Sequence, residues 1–350
     1  MILHSINRRK FVKQLIKVAA LTPLLANSGT NAKADISNKE YIETVKGKIK
    51  PSKIGITLSH EHVLVDFIGA EKYDPGRWNH EEVIRIVSPY IRQIQDLGCK
   101  TLVECTPEYI GRDVQLLKKI SIETGINIIT NTGYYGAADN KYLPAHVYQE
   151  SSDQLTERWL NEFENGIGDT GIKPGFMKIG VADHSLSELH KKLVIAAAKT
   201  HLRSGMTIAS HTGPALPAFE EINLLISQNV SPEAFIWVHA QAEEDDSKRY
   251  KAAQMGAWIS IDGYSEKEKM RYVNWLIQFK EKRLLNKVLV SHDAGWYSPG
   301  EPEGGDFRPF TDVFLSLIPA LFEKGFNEDD INQVFVKNPA DAFSIKIRNT

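Results

Sequence analysis

From residue 50 onward, eight short apolar runs alternate with amphipathic stretches, no long-period repeat is present, and no low-complexity linker divides the chain. These observations predict an α/β protein built of parallel βα units: a closed (β/α)8 TIM barrel in a single domain over residues 35–350. The rival, an open doubly wound sheet, lacks its usual phosphate-binding signature, because neither a G-x-G-x-x-G turn nor a P-loop follows the first strand.

The strand-like runs are 54–59 "IGITLS", 101–106 "TLVECT", 126–132 "INIITNT", 175–181 "GFMKIGV", 206–210 "MTIAS", 235–239 "FIWVH", 257–261 "AWISI" and 287–292 "KVLVSH". Between them, 81–97 carries Val83, Ile84, Val87, Ile91, Ile94 and Leu97 at the spacing of one helix face, and Gly98 offers a stop. Comparable helical stretches are expected near 112–124, 153–165, 187–204, 217–229, 244–255, 266–284 and 308–324. Gly125, Gly205, Gly256 and Gly325 stand at their ends.

Residues 1–34 are set apart from the barrel as an export signal. Arg8, Arg9, Lys10, Lys13, Lys17 and Lys33 occur there with no acidic residue, followed by an apolar run and "AKA" at 32–34. The run is too short for a permanent membrane span. Arg8-Arg9-Lys10-Phe11 resembles a twin-arginine signal, an address read by the twin-arginine export machinery and not an anchor. A periplasmic or secreted protein is therefore expected, with an ordinary secretory signal as the alternative. The chain has 42 basic and 44 acidic residues; removing six basic residues leaves 36 against 44, a balance of −8. Such a surface is unsuited to nucleic acid or anionic lipid. Cys99 and Cys105 stand too far apart along one strand for a disulfide and are read as buried thiols.

Catalytic groups of such barrels sit at the C-terminal strand ends. The first strand finishes on His60 and His62, which share a face because alternate residues do. Lys178 lies within the fourth, His211 ends the fifth, His239 the sixth, and Asp293 follows the eighth. His80, His146, His184, His190 and His201 are scattered elsewhere and read as solvated or as helix-face residues. An ammonium within an apolar strand is costly. Lys178 therefore either pairs with a carboxylate or, as a neutral amine, reacts with carbon dioxide to give an anionic carbamate with two oxygen ligands.

"TLSHEH", "FMKIG", "SHTG", "VHA" and "SHDAGW" together resemble the metal-binding set of the phosphotriesterase family of the amidohydrolase superfamily. "TPEYIGRD" at 106–113, "NTGYY" at 131–135 and "VKNPADAF" near the C-terminus extend the resemblance from about residue 40 to the end. It implies two divalent metal ions, zinc first, with cobalt, manganese or iron as alternatives. His60, His62 and Asp293 would hold the more buried ion and His211 and His239 the more exposed one. A carboxylated Lys178 and a hydroxide would bridge them, with Asp293 as general base. The substrate implied is a small-molecule ester or lactone. Tyr134, Tyr135, Tyr264 and Trp296 are candidate pocket walls, and the Gly- and Pro-rich 295–310 is a candidate lid.

Two departures bear on substrate. The Asp–His relay expected of efficient organophosphate hydrolases is missing from "HAQA" at 239–242 and "DGY" at 262–264, and the Arg expected of family lactonases is replaced by Gly263. Lactone or carboxylic ester therefore stands slightly ahead of phosphotriester. The alternatives are a mononuclear amidohydrolase or deaminase and a non-catalytic barrel that binds metal and ligand. The oligomeric state is left open, a homodimer included.

Overall fold

The computed structural model describes residues 40–350; the export segment expected over 1–34 lies outside them. A short hairpin, β1 (Ile42–Thr44) and β2 (Gly47–Ile49), precedes the barrel. The barrel strands are β3 (Ile56–Leu64), β4 (Cys99–Glu104), β5 (Asn127–Ile129) with its continuation β6 (Asn131–Thr132), and β7 (Phe176–Gly180). They continue as β8 (Thr207–His211), β9 (Phe235–Val238), β10 (Trp258–Ile261) and β11 (Val288–Val290). Each corresponds to one of the eight runs read from the sequence.

All pairings within the barrel are parallel, in the order β11-β10-β9-β8-β7-β6 and then β5-β4-β3. The remaining seam, β11 to β3, has no ladder. It is joined where Asp293 N donates to His60 O at 3.1 Å and His62 N to Ala294 O at 2.9 Å. Beyond it β12 (Gly295–Tyr297) pairs with the end of β3. Gly295 is required at that crossing: a Cβ there would stand 1.8 Å from His62 O, at a φ of +95°. The expected lid segment 295–310 thus starts as a barrel strand, pinned back on itself by the Gly295–Arg308 pair.

Helices pack outside. In α1 (His80–Asp96) the Asn79 side chain accepts from Glu81 N and Glu82 N, and Val83, Val87, Ile91 and Ile94 are buried, the stripe that the sequence spacing predicts. Next come α2 (Val114–Thr124), α3 (Ala145–Gln149) and α4 (Ser152–Asn165), the last opened by a Ser151–Gln154 capping box. Then follow α5 (Glu188–Ser204), α6 (Ala215–Ser227), α7 (Asp246–Gln254) and α8 (Lys269–Glu281). After these come a π-turn at Val313–Leu317, α9 (Ile318–Glu323), α10 (Glu328–Asn332) and α11 (Asn338–Ala342).

The barrel interior is a packed core in which Val103, Ile129, Phe176, Ala209, Ile236, Trp258 and Leu289 form one buried cluster, closed at the N-terminal end by Ala342 and Phe343. Filling that end leaves the C-terminal mouth as the open one. Among the described residues no helix is long and apolar enough to cross a membrane. Cys99 and Cys105 are free and buried.

A candidate metal centre at the barrel mouth

All six residues expected as ligands line one cavity of about 110 Å³ at the mouth: His60, His62, Lys178, His211, His239 and Asp293. A register shift in β3 between Leu58 and Glu61 re-aims the end of that strand. His62 Nε2 stands 3.0 Å and His60 Nε2 3.7 Å from Asp293 Oδ1. The ring centroids of His60 and His239 are 5.1 Å apart, and those of His211 and His239 are 4.4 Å apart. Side chains from three strands (His60 and His62 on β3, Lys178 on β7, His211 on β8), from His239 directly after β9 and from Asp293 in the loop after β11 thus converge. His239 and Asp293 do so from left-handed backbone, at φ +61° and +53°, a conformation that non-glycine residues keep only when their surroundings impose it. Lys178 is buried and forms no ion pair among the described residues, so pairing with a carboxylate is not what compensates its burial.

A second layer sets the imidazole tautomers. Asp262 is fully buried and takes a hydrogen bond from His60 Nδ1 at 2.8 Å and from His239 Nδ1 at 2.7 Å. His62 Nδ1 donates to Thr106 Oγ1 at 2.8 Å, and that hydroxyl donates its own hydrogen bond to Glu104 Oε1 at 2.5 Å. With Nδ1 occupied in three imidazoles, their Nε2 lone pairs are left for the cavity, the arrangement metal-binding histidines need.

The electrostatics agree. Burial, and then the charge of Lys178, push His60 down to about 4. Burial and neighbouring His239 hold His211 well below its ordinary value. Burial opposes a charge on His239 as well, but Asp262 beside it reverses the balance and lifts it. Asp262 itself, despite burial, is held well below the usual carboxylate range by His239 and His60. Asp293 is likewise held ionised against its burial by His62 and His60. A set of imidazoles and ionised carboxylates around one cavity fits divalent cations of borderline softness. The donor atoms of His60, His62 and Asp293 lie close enough together to hold an ion, whereas the equally close His60, His239 and Asp262 are the hydrogen-bonded set that fixes the two imidazoles.

The pocket wall differs from expectation. Tyr135 and Trp296 line the cavity; Tyr134 and Tyr264 do not. Tyr134 is turned outward against Trp159, Tyr109 and His146, and Tyr264 packs on Tyr272 and His292. Adjacent residues near a strand end face opposite ways, so only one of Tyr134 and Tyr135 can look inward. The wall is completed by Val65, Phe67, Cys105, Pro107 and Ile110. Phe67 is 46% exposed and stacks edge-on against Trp296 at 5.5 Å, a large apolar ring left at the rim. A Cβ at Gly263 would meet Gln241 Nε2, the far end of a flexible side chain, at 2.8 Å, so a side chain there would displace Gln241 from its hydrogen bond to Asp262. Of the scattered histidines, His190 and His201 are buried and bonded to backbone carbonyls, while His80 meets Asp113 and His146 meets Tyr134.

Sequence reasoning missed Asp262, Thr106 and Glu61 as supports of the site and Phe67 as part of the wall. Asp262 carried a readable signal, since it follows the seventh barrel strand directly, where the other chemistry collects. Thr106 carried none, because a threonine after a strand is commonplace.

A parallel barrel with a histidine–carboxylate–lysine cluster at its C-terminal mouth defines the class: a metal-centred TIM barrel. Residues 40–343 match the model of the phosphotriesterase family, and the chain belongs to that family. It is 28% identical over 295 residues to a phosphotriesterase homology protein of Escherichia coli strain K12, covering 83% of this chain and 98% of that protein. It is 26% identical over 316 residues to an aryldialkylphosphatase of Saccharolobus solfataricus, covering 85% and 98%. Against a human N-acetyltaurine hydrolase it is 23% identical over 350 residues, covering 87% and 98%. Relatives in this family are thus named for hydrolysis of quite different bonds.

Proposed function

We propose that the chain is a metal-dependent hydrolase with a binuclear centre, acting on an ester-type bond, lactone or carboxylic ester ahead of phosphotriester. The observation that carries this reading is the convergence of six donor side chains on one cavity, one of them a buried lysine that forms no ion pair among the described residues. His60, His62 and Asp293 would hold one divalent ion, His211 and His239 the other, zinc being the best match to imidazole and carboxylate. Lys178, as a neutral amine, would form an N–C bond to carbon dioxide with loss of a proton, giving an anionic carbamate whose oxygens are donors of the kind a divalent ion takes. Bound metal supplies Lewis acidity and lowers the pKa of water so that hydroxide is available near neutral pH.

The chain's own side chains do the rest. Asp262 and Thr106 lock the tautomers of three histidines, so no reorganisation is needed on binding. Asp293, held ionised, has a carboxylate oxygen facing the cavity that can accept the proton the nucleophile gives up. Val65, Phe67, Ile110, Tyr135 and Trp296 receive the substrate body and exclude water. The largely apolar wall suits a compact, apolar substrate body, and the Arg308 guanidinium stands at the rim, 5.8 Å from the Trp296 ring, donating to Asp293 O at 2.8 Å. The signal read at 1–34 would deliver the enzyme to the periplasm or beyond.

The test is a panel of lactones, aryl esters, a phosphotriester and short N-acyl amides on metal-loaded protein, with Lys178→Ala alongside. Turnover of uncharged esters is expected, lost in K178A and partly restored by short carboxylic acids that occupy the carbamate's place. Full activity in K178A would overturn the bridging role, and turnover confined to amides would overturn the ester assignment.

A further inference from the structure

Glu61 lies between two candidate ligands, and strand alternation turns its side chain away from the cavity they share. It is completely buried. Its Oε1 accepts hydrogen bonds from Ser291 Oγ at 2.7 Å, His292 N at 3.0 Å and His292 Nδ1 at 2.6 Å, and its Oε2 accepts one from Ala294 N at 2.8 Å. The two backbone amides belong to the residues on either side of Asp293. His292 Nε2 in turn accepts from Val313 N at 2.9 Å, so that imidazole is neutral, with its proton on Nδ1 pointing at Glu61. Every group facing this carboxylate is therefore a donor.

Asp293 is the residue that most needs such a clamp. Its backbone is left-handed, at φ +53°, a conformation that a non-glycine residue keeps only where its surroundings impose it. It also sits on the one barrel seam without a ladder, where β11 has ended at Val290. We propose that Glu61 is a positioning residue that spans Asp293 from both sides, keeps its backbone left-handed and aims its carboxylate into the cavity. The "HEH" triplet then supplies two ligands directly and fixes a third across the adjoining seam. This inference rests on the reading of Asp293 as a metal ligand under Proposed function.

The test is a double-mutant cycle on the full chain, read as zinc affinity by competition with a chromophoric chelator, with circular dichroism as the check on folding. Glu61→Gln keeps the shape but can accept at only one end, and its amide would face donors. A loss of about 10–100-fold is expected in E61Q, with no further loss when E61Q is added to Asp293→Ala. A full-sized loss from E61Q on top of D293A would overturn the inference and leave Asp293 standing as a ligand. Parent affinity in D293A would instead overturn the ligand assignment itself. Should E61Q fail to fold, Ser291→Ala removes one of the four hydrogen bonds. A several-fold loss confined to the Asp293 background supports the clamp, and no loss, or one that persists in D293A, overturns it.

Discussion

Asp262 accepts five hydrogen bonds: from His60 Nδ1, His239 Nδ1, His239 N, Gln241 Nε2 and Ser260 Oγ. The two imidazoles come from different strands and belong to the two halves of the proposed centre, so one carboxylate serves both. An asparagine in its place would turn an NH2 group toward one of two N–H donors, forcing that imidazole to the wrong tautomer or leaving a buried donor unpaired. Asp262→Asn is expected to lower zinc affinity about 10–100-fold with the fold intact, measured by chelator competition and circular dichroism. Parent affinity in D262N would show that the histidines do not depend on it. At this scale the sequence was partly legible. His60, His62, Lys178, His211, His239 and Asp293 could be read because metal-ligand types recurred at strand ends. Asp262, Thr106 and Glu61 act through other side chains, and nothing in their own spacing reveals which neighbours they meet.

At the scale of elements, the eight strands and the helix stripes were readable because apolar periodicity reports burial directly. The π-turn at Val313–Leu317, the β1–β2 hairpin and β12 were not, since each depends on what it packs against. The same holds for Tyr134 and Tyr264, whose direction is set by loop geometry. Helix α6 adds a feature no pattern displays: Glu221, on its buried face, is enclosed against Thr212, with one carboxyl oxygen unpartnered. Burial pushes it up to about 8 from an ordinary 4.5. The folded state thus keeps this proton until about pH 8 while the unfolded chain loses it near pH 4.5. Its contribution to stability is complete below pH 4.5 and is lost as pH rises toward 8. In Glu221→Gln that loss disappears. The melting temperature of the variant relative to the parent, at saturating metal, is expected to rise between pH 5 and pH 8. A difference independent of pH would mean that Glu221 is ionised when folded.

For the whole molecule, closure of the barrel and assembly of the site draw on the same residues. The strands meet around a core that fills the N-terminal end, and the last seam is completed by backbone bonds at His60, His62, Asp293 and Ala294 and by Glu61. A centre built at the closing seam couples metal binding to global stability, because any ion that binds the folded state alone raises it by mass action. The proposed binuclear centre requires two cations sharing that mouth. The most direct measurement is a crystal structure of the zinc-loaded protein with anomalous data on both sides of the zinc edge. Two anomalous peaks are expected within the cavity bounded by His60, His62, Lys178, His211, His239 and Asp293, with density for a carbamate continuing from Lys178 Nζ. A single peak, or an unmodified lysine with zinc bound elsewhere, would contradict it.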